Sequence, residues 1–303
     1  FFIVAYNMLS ALFRGMGDSR SPLIFVLVAC VVNIIGDLVL VAGFHLDAVG
    51  AAIATVAAQA VSVVCAVVML LKKALPFSIK KADFRLNFQC KKFLAIGLPL
   101  ALQEFLTQLS FLALCAFVNR LGLEASSGYG VACKIVNFAM LIPSALMQSM
   151  ASFISQNIGA GKEDRARNGL KAAVKISTVF AFAVLVIFIL FGRNITGFFV
   201  KGTDVISIAS KAIVMTACFY WALGIIHTVR GFLNGAGDTG YALVNGTAEV
   251  ICRIGLSLVL TAIPVIGHWG IWLTTCCTWF VTAAVSLLRY KGGKWKSKSL
   301  VRS

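Results

Sequence analysis

The chain has 303 residues, of which 60% are hydrophobic and only 13% are charged, and its mean hydropathy is +0.93. A soluble domain carries about a quarter charged residues, so this composition excludes an ordinary water-soluble domain. The formal net charge of +16 would indicate nucleic-acid binding in a soluble protein; here we expect the basic residues to meet anionic lipid headgroups instead.

Long apolar segments recur along the whole chain. A helix needs about 20 apolar residues to cross the hydrocarbon core, and eight segments meet that requirement. These segments are continuous rather than alternating, which favours helices over the strands of a membrane barrel. The sequence therefore predicts an all-α, polytopic membrane helical bundle. The predicted spans are 22–44, 48–71, 93–118, 129–153, 172–192, 205–229, 241–263 and 268–288.

The chain opens inside an apolar stretch, without an initiator Met or the charged start of a signal peptide. We interpret residues 1–12 as the end of a ninth helix. On this interpretation the sequence is N-terminally truncated.

The 27 Lys and Arg are distributed unevenly among the connections. Every second connection lies on the same side of the membrane, and these connections hold nearly all of the Lys and Arg outside the spans, including Arg230. The positive-inside rule makes that side of the membrane cytoplasmic. We therefore expect a multi-pass inner-membrane protein with basic cytoplasmic loops and a cytoplasmic C-terminus. The opposite side has only Arg120, Arg193, Lys201 and Lys211.

Two parts of the chain repeat at an offset of 220 residues. RGMGD at 14–18 aligns with NGAGD at 234–238, and LVL at 38–40 aligns with LVL at 258–260. Both parts have a Gly-Asp turn, a span, a short loop and a second span that ends in basic residues. We predict two homologous lobes, the arrangement through which transporters alternate access, although a duplicated bundle that does not move would show the same repeat.

The repeat also predicts the domain organisation. The second lobe is complete with six helices, whereas the first lobe retains the end of a fourth helix and the fifth and sixth helices. An intact protein would then have twelve helices. The predicted domains are a partial first lobe at 1–73, a cytoplasmic linker at 74–92, the second lobe at 93–291 and a basic cytoplasmic tail at 292–303.

Four motifs along the chain resemble those of MATE (multidrug and toxic compound extrusion) transporters. RGMGDSRSP at 14–22, QNIGAGKEDRAR at 156–167 and NGAGDTG at 234–240 resemble the loops after their fourth, eighth and tenth helices, and GLPLALQ at 97–103 resembles the start of their seventh. The chain is identified as a member of the DinF-like bacterial branch. The Gly residues of these loops allow tight turns, and Asp18 and Asp238 can cap the following helix.

Asp37 is the clearest ionisable residue inside a predicted span. Asn33 precedes it by four residues, so both side chains share one helix face about 6 Å apart along the axis. Thr55 in the next span is within reach across the antiparallel pair. A carboxylate, an amide and a hydroxyl can bind Na⁺ or take up a proton; alternatively, Asp37 lies in a wetted crevice and only contacts Asn33.

The resemblance implies a cation-binding role for these residues. Asn33, Asp37 and Thr55 occupy positions similar to the first-lobe cation site of archaeal and DinF-like MATE proteins. At the repeat offset, Asp37 aligns with Ser257 and Asn33 with Arg253, so we expect cation chemistry in the first lobe only.

Polar residues in the second lobe are candidates for the substrate cavity. Glu104 stands out as a second group for protonation or for meeting a cationic substrate. Glu249 and Arg253 stand four residues apart, a spacing that also predicts an internal ion pair. The cavity candidates are Gln103, Glu104, Gln108, Lys134, Asn137 and Arg253.

These features together predict a monomeric, Na⁺- or H⁺-coupled antiporter that exports amphipathic or cationic drugs and toxic compounds. No cofactor is expected, and membrane lipid and a small organic substrate are the expected partners. The alternative from the same superfamily is a flippase of lipid-linked saccharides. A membrane enzyme is disfavoured because no HExxH, GxSxG or paired-carboxylate motif lies in or beside the spans.

Overall fold

The structure is a computed structural model, and all its regular secondary structure is helical within the residues that it describes. Contacts divide the chain into two compact units, Phe1–Leu86 and Asn87–Ser303, which we call unit 1 and unit 2. The predicted all-α class is confirmed. The described residues are 1–73, 88–120, 122–263, 265–267 and 269–298.

Within its described residues, 1–73, unit 1 contains three α-helices and one π-helical segment. They are α1 (Phe2–Gly15), α2 (Arg20–Asp37), the π-helix Leu38–Gly43 and α3 (Asp47–Lys72). Each α-helix contributes one residue to a small buried core, namely Phe13, Phe25 and Ala66. The two rings meet edge to face with their centroids 5.2 Å apart. Most other large apolar side chains of α2 are exposed, as expected for a helix in contact with lipid.

The described part of unit 2 contains eight α-helices and a short 3₁₀ helix. Its larger core cluster packs around Tyr129, Tyr220, Trp272 and Trp279, and a second cluster surrounds Phe232. The helices are α4 (Phe88–Asn119), α5 (Leu123–Ala139), α6 (Leu141–Gly159), α7 (Glu163–Phe199), α8 (Thr203–Ala217), α9 (Tyr220–Gly235), α10 (Gly240–Thr261), α11 (Trp269–Lys291) and the 3₁₀ helix Lys294–Lys298.

The helices agree with the eight predicted spans. Seven segments of the described chain are long and apolar enough to cross a membrane, and one bent pair brings the number to eight. Helices α8 and α9 form that pair, with a bend of 52°. The predicted span 129–153 is divided into α5 and α6, which meet at Met140. Pro143 lies in the first turn of α6, where a missing backbone N–H is tolerated.

The turns after α1 and after α9 have the same backbone geometry, although the two helices belong to different units. Gly17 and Gly237 adopt φ of 83° and 82°, a left-handed conformation that glycine reaches without a steric penalty. The N–H of the Asp that follows each glycine donates to the carbonyl five residues earlier, at 2.9 and 3.0 Å. The two sequence repeats therefore build the same local turn.

The Asp of each turn is held by a basic side chain from the end of the last long helix of its unit. Asp18 contacts Lys73 at 2.6 Å and accepts the N–H groups of the first two residues of α2, so its predicted capping role is confirmed. The hydrogen bonds from Lys73 and then Ser21 hold the pKa of the Asp18 carboxyl well below its usual value. Asp238 instead accepts two hydrogen bonds from Arg289, at 2.7 and 2.8 Å.

The predicted linker and tail are only partly described. Residues 74–87 and 299–303 lie outside the described part of the chain. Helix α4 begins at Phe88, so the last five residues assigned to the linker are helical. In the tail, Trp295 is buried, and its ring packs against Phe232 with centroids 4.9 Å apart.

Candidate functional site

The side chains of Asn33 and Thr55 meet between α2 and α3. Asn33 Nδ2 donates to Thr55 Oγ1 at 3.4 Å, and Thr55 Oγ1 donates to the Ala51 carbonyl at 2.9 Å. The structure therefore places these two residues together, as the antiparallel arrangement predicts. The Asn33 amide oxygen stays available to a further ligand, because the amide uses its nitrogen for Thr55.

A glycine makes this close approach of the two helices possible. A Cβ on Gly36 would lie 2.9 Å from the Ala54 Cβ, closer than side-chain carbons pack. Any larger residue at 36 would push α2 and α3 apart. The contact between Asn33 and Thr55 depends on this small residue, which lies between Asn33 and Asp37 in the sequence.

Asp37 is the last residue of α2 and directly precedes the π-helix Leu38–Gly43. Its Oδ1 atom is buried and has no hydrogen-bond partner in the described structure. A buried carboxylate oxygen without a donor is costly, and π-helical segments occur frequently at functional sites. The equivalent helix of the repeat, α10, continues as a regular α-helix through Ser257. The π-helix is therefore specific to the copy of the repeat that has the carboxylate.

A cavity of about 420 Å³ in unit 1 opens beside this group. Asn33 and Thr55 contribute to its wall, whereas Asp37 lies one turn farther along α2 and does not. The polar lining includes residues that sequence reasoning missed. Gln59 follows Thr55 by four residues and could have been found by the same spacing argument, whereas Asn7 gave no such signal because it lies on α1. The further polar residues of the wall are Tyr6, Asn7, Gln59 and Ser62.

In unit 2, the polar group predicted on α4 is divided between two helix faces. Gln103 is 1% exposed and points into the unit, whereas Glu104 and Gln108 are exposed. Adjacent residues of a helix point about 100° apart, so Gln103 and Glu104 cannot share a face. Glu104 and Gln108 are one turn apart and remain together as surface candidates.

Lys134 and Asn137 lie on the exposed side of α5, where a ligand can reach them. Arg253 is not at the surface, since it is 1% exposed and lies inside unit 2. Gln103 and Arg253, which we predicted to line the substrate cavity, are therefore enclosed within unit 2 in the described structure. A side chain that is enclosed by its own unit cannot line that unit's surface.

Gln103 and Arg253 instead belong to a buried polar network. Arg253 Nη2 pairs with Glu249 Oε1 at 2.8 Å, which confirms the ion pair expected from their spacing. Glu249 Oε2 accepts a hydrogen bond from Thr107 at 3.1 Å and lies 3.8 Å from Arg230 Nη2. With the Gln103 amide oxygen turned towards Arg230, it accepts two hydrogen bonds of 2.9 Å from that guanidinium. The network joins α4, α9 and α10.

Arg230 corrects an expectation from the charge distribution. We counted it among the basic residues of cytoplasmic loops, but it is 8% exposed and lies within α9. The helix continues to Gly235, six residues beyond the predicted span, and Arg230 lies near Glu249 inside the unit. When Arg230 is no longer assigned to a loop, the Lys and Arg of the loops remain concentrated on the same side.

Comparison with known proteins gives a family match over more than half of the chain. A sequence profile described as MatE matches residues 99–259. The probable multidrug resistance protein YpnP of Bacillus subtilis is 27% identical over 99% of this chain and 67% of its own length. A FAD transporter of Shewanella oneidensis is 27% identical over 73% of this chain and 50% of its own length.

Solved structures show the same fold. An outward-facing multidrug resistance MATE family transporter of the MOP superfamily superposes with a TM-score of 0.90 at 19% identity, over 98% of this chain and 67% of that one. A MOP superfamily transporter from Pyrococcus furiosus gives a TM-score of 0.89 at 19% identity, over 97% and 67%. The chain thus spans about two thirds of the length of the proteins that it matches most fully.

Proposed function

The chain belongs to the MATE family, and from that premise we propose that the protein is a cation-coupled antiporter which exports amphipathic or cationic compounds. The observation that carries the coupling part of the proposal is the buried Oδ1 atom of Asp37, for which the described part of the chain offers no hydrogen-bond partner. An inward gradient of Na⁺ or H⁺ supplies the driving force. No covalent chemistry and no cofactor take part.

The ligand set around Asp37 suits a hard cation. Asn33 and Thr55 supply an amide and a hydroxyl oxygen, and Asp37 supplies a carboxylate one turn farther along α2. Oxygen atoms of these types bind alkali and alkaline-earth ions. A proton can occupy the same carboxylate instead. Either ion removes the negative charge of Asp37, so the loaded and empty states differ by one charge inside the membrane.

The π-helix beside Asp37 is the element through which we expect this charge change to act. Its i→i+5 hydrogen bonds form a wider turn than those of an α-helix, and Phe44 N–H donates to Val39 O at 3.0 Å in that pattern. A segment that can exchange between two hydrogen-bond patterns provides two discrete backbone arrangements. Cation loading then biases one of them, as a coupled transporter requires.

Drug export is the substrate class favoured by the relatives, since YpnP and other similar proteins are named as multidrug resistance or multidrug export proteins. The cavity beside Asn33 has both apolar and polar walls, which suits amphipathic compounds. A flippase of lipid-linked saccharides would need accessible basic groups for pyrophosphate. Two of the cavity candidates are basic, Lys134 and Arg253, and the burial of Arg253 leaves Lys134 for that role.

Export is tested with a fluorescent cationic dye in cells that contain or lack the full-length protein. We expect lower dye accumulation in the cells that contain it, because an exporter opposes passive entry. Collapse of the Na⁺ and H⁺ gradients with ionophores should restore accumulation. Equal accumulation in both cell lines, across a panel of cationic and neutral dyes, would argue against drug export.

We further propose that the loops rich in Lys and Arg face the cytoplasm of the inner membrane. The two ends of α7 provide a matched test, because Ala160 precedes this helix and Gly202 follows it. A cysteine at Gly202 should react with an impermeant maleimide applied outside intact cells, and a cysteine at Ala160 should react only after permeabilisation. The background is the same protein without its native cysteines. Labelling of Ala160→Cys in intact cells would reverse the orientation.

A further inference from the structure

Each residue of the site in unit 1 has a counterpart in unit 2 at the repeat offset of 220 residues. These counterparts lie on α10 and α11, which pack against each other as α2 and α3 do. The counterparts of Asn33, Asp37 and Thr55 are Arg253, Ser257 and Thr275, in that order.

The local geometry supports this correspondence. Thr55 Oγ1 donates to the carbonyl four residues earlier at 2.9 Å, and Thr275 Oγ1 does the same at 3.2 Å. A Cβ on Gly50 would lie 3.1 Å from the Leu40 carbonyl oxygen. A Cβ on Gly270 would lie 2.8 Å from the Leu260 carbonyl oxygen, at the same spacing of ten residues. The two helix pairs therefore share one register, and the counterparts occupy equivalent places.

The polarity of the two sites is opposite. In unit 2 a guanidinium replaces the amide, and a hydroxyl replaces the carboxylate. Arg253 is 1% exposed and Ser257 is fully buried. The Nε and Nη1 atoms of Arg253 and the Oγ of Ser257 have no hydrogen-bond partner in the described structure. The two residues are four apart, so their Cα atoms lie about 6 Å from each other along α10 and both side chains leave the same face of the helix.

The charge around Arg253 is not balanced. Two guanidinium groups, those of Arg253 and Arg230, share the single carboxylate of Glu249, and no other acidic residue of the described chain pairs with either one. The Arg253 guanidinium also lies 3.7 Å over the Phe111 ring, which offsets part of its charge. A buried net charge that is not neutralised is strongly unfavourable. A water molecule could accept the free N–H groups, but it could not supply the missing negative charge.

We propose that Arg253 and Ser257 bind a small monovalent anion of the size of chloride inside unit 2. The anion accepts hydrogen bonds from Arg253 and from the Ser257 hydroxyl, and it neutralises the net positive charge of the network. The duplicated fold thus holds a cation site in one copy and an anion site in the other. This site is independent of the exported compound and of the coupling ion.

The test uses full-length protein purified in detergent, with Na⁺ and ionic strength constant while chloride replaces gluconate. Chloride should raise the midpoint of thermal unfolding in a saturable way, because a ligand that binds the folded state stabilises it by mass action. Bromide and nitrate should act similarly. A midpoint that is the same in chloride and in gluconate would overturn the proposal.

Three variants separate anion binding from general stability. Ser257→Ala should raise, by about tenfold, the chloride concentration that gives half of the maximal rise in the unfolding midpoint. This is the effect expected for the loss of a hydrogen bond to a charged ligand. Arg253→Met should abolish the shift, and it leaves Arg230 and Glu249 as a neutral pair. Glu249→Gln should enlarge the shift, because it removes the carboxylate that competes with the anion.

Ser177→Ala is the matched control, since Ser177 Oγ is a buried, unpartnered hydroxyl of unit 2 that lies on α7 instead. Its chloride response should equal that of the wild type. An equal loss of response in Ser177→Ala and Ser257→Ala would contradict a site at Arg253. Asp37→Asn should keep the chloride response, so this test and the test of cation coupling can fail separately.

Discussion

Asp37→Asn is expected to abolish gradient-driven efflux while leaving the protein folded. Asparagine is nearly isosteric with aspartate, but it cannot carry the negative charge that a Na⁺ ion or a proton would neutralise. The loaded and empty states then no longer differ in charge, so the cation gradient cannot drive the cycle. The measurement is dye efflux from liposomes that contain the full-length variant or wild type at matched amounts. A loss of about 1.4 kcal/mol of coupling free energy corresponds to a factor of ten. We therefore expect residual transport below about a tenth of the wild-type rate.

The control is Asp47→Asn, which makes the same chemical change in the same unit. Asp47 is exposed at the start of α3, at a φ of 42° that asparagine also tolerates. We expect wild-type efflux from this variant. If Asp37→Asn pumps with an unchanged dependence on Na⁺ and pH, then Asp37 has a structural role and coupling must be assigned elsewhere, with Glu104 as the next acidic residue to test.

Glu249→Leu is expected to destabilise unit 2 by about 3–5 kcal/mol, the cost of breaking a buried ion pair by removal of one partner. The variant leaves two guanidinium groups in a buried network without their shared carboxylate. It also removes the acceptor of the Thr107 hydroxyl. Thermal unfolding of the full-length protein in detergent measures the effect as a lower midpoint, and we expect a reduced yield of folded protein.

An exposed pair of the same type provides the comparison. Glu163 and Arg167 have the same i,i+4 order as Glu249 and Arg253, but their closest atoms are 3.8 Å apart, and both side chains are about one-third exposed. Glu163→Gln should therefore change stability by no more than about 0.5 kcal/mol. If Glu163→Gln and Glu249→Leu lower the unfolding midpoint equally, the network does not have the energetic importance that its burial implies.

Asp18 and Asp238 illustrate a feature that the sequence predicts only in part. The repeated Gly-Asp motif was enough to predict two equivalent turns, because only glycine adopts the positive φ of Gly17 and Gly237 without strain. It did not predict the partners of the two carboxylates. Lys73 and Arg289 come from helices that end far along the chain, and only the packing of each unit brings them to the turns.

The sequence by itself determined the membrane class, the number of spans and the repeat. Continuous apolar segments of about 20 residues have one solution in lipid, which is a helix that satisfies its own backbone hydrogen bonds. The four-residue spacings of Asn33 with Asp37 and of Glu249 with Arg253 were equally informative. Helical geometry alone places such residues on one face.

Only the tertiary structure decided which polar side chains are buried and which backbone segments depart from a regular helix. Gln103 and Glu104 are adjacent in the sequence, yet one enters the unit and the other remains at its surface, because the neighbouring helices cover only one face of α4. Arg230 lies in a segment that looks like a loop, and contact with Glu249 from α10 brings it inside. The π-helix after Asp37 has no counterpart in the matching α10 segment, although both contain LVL, so the shared LVL sequence does not by itself determine it.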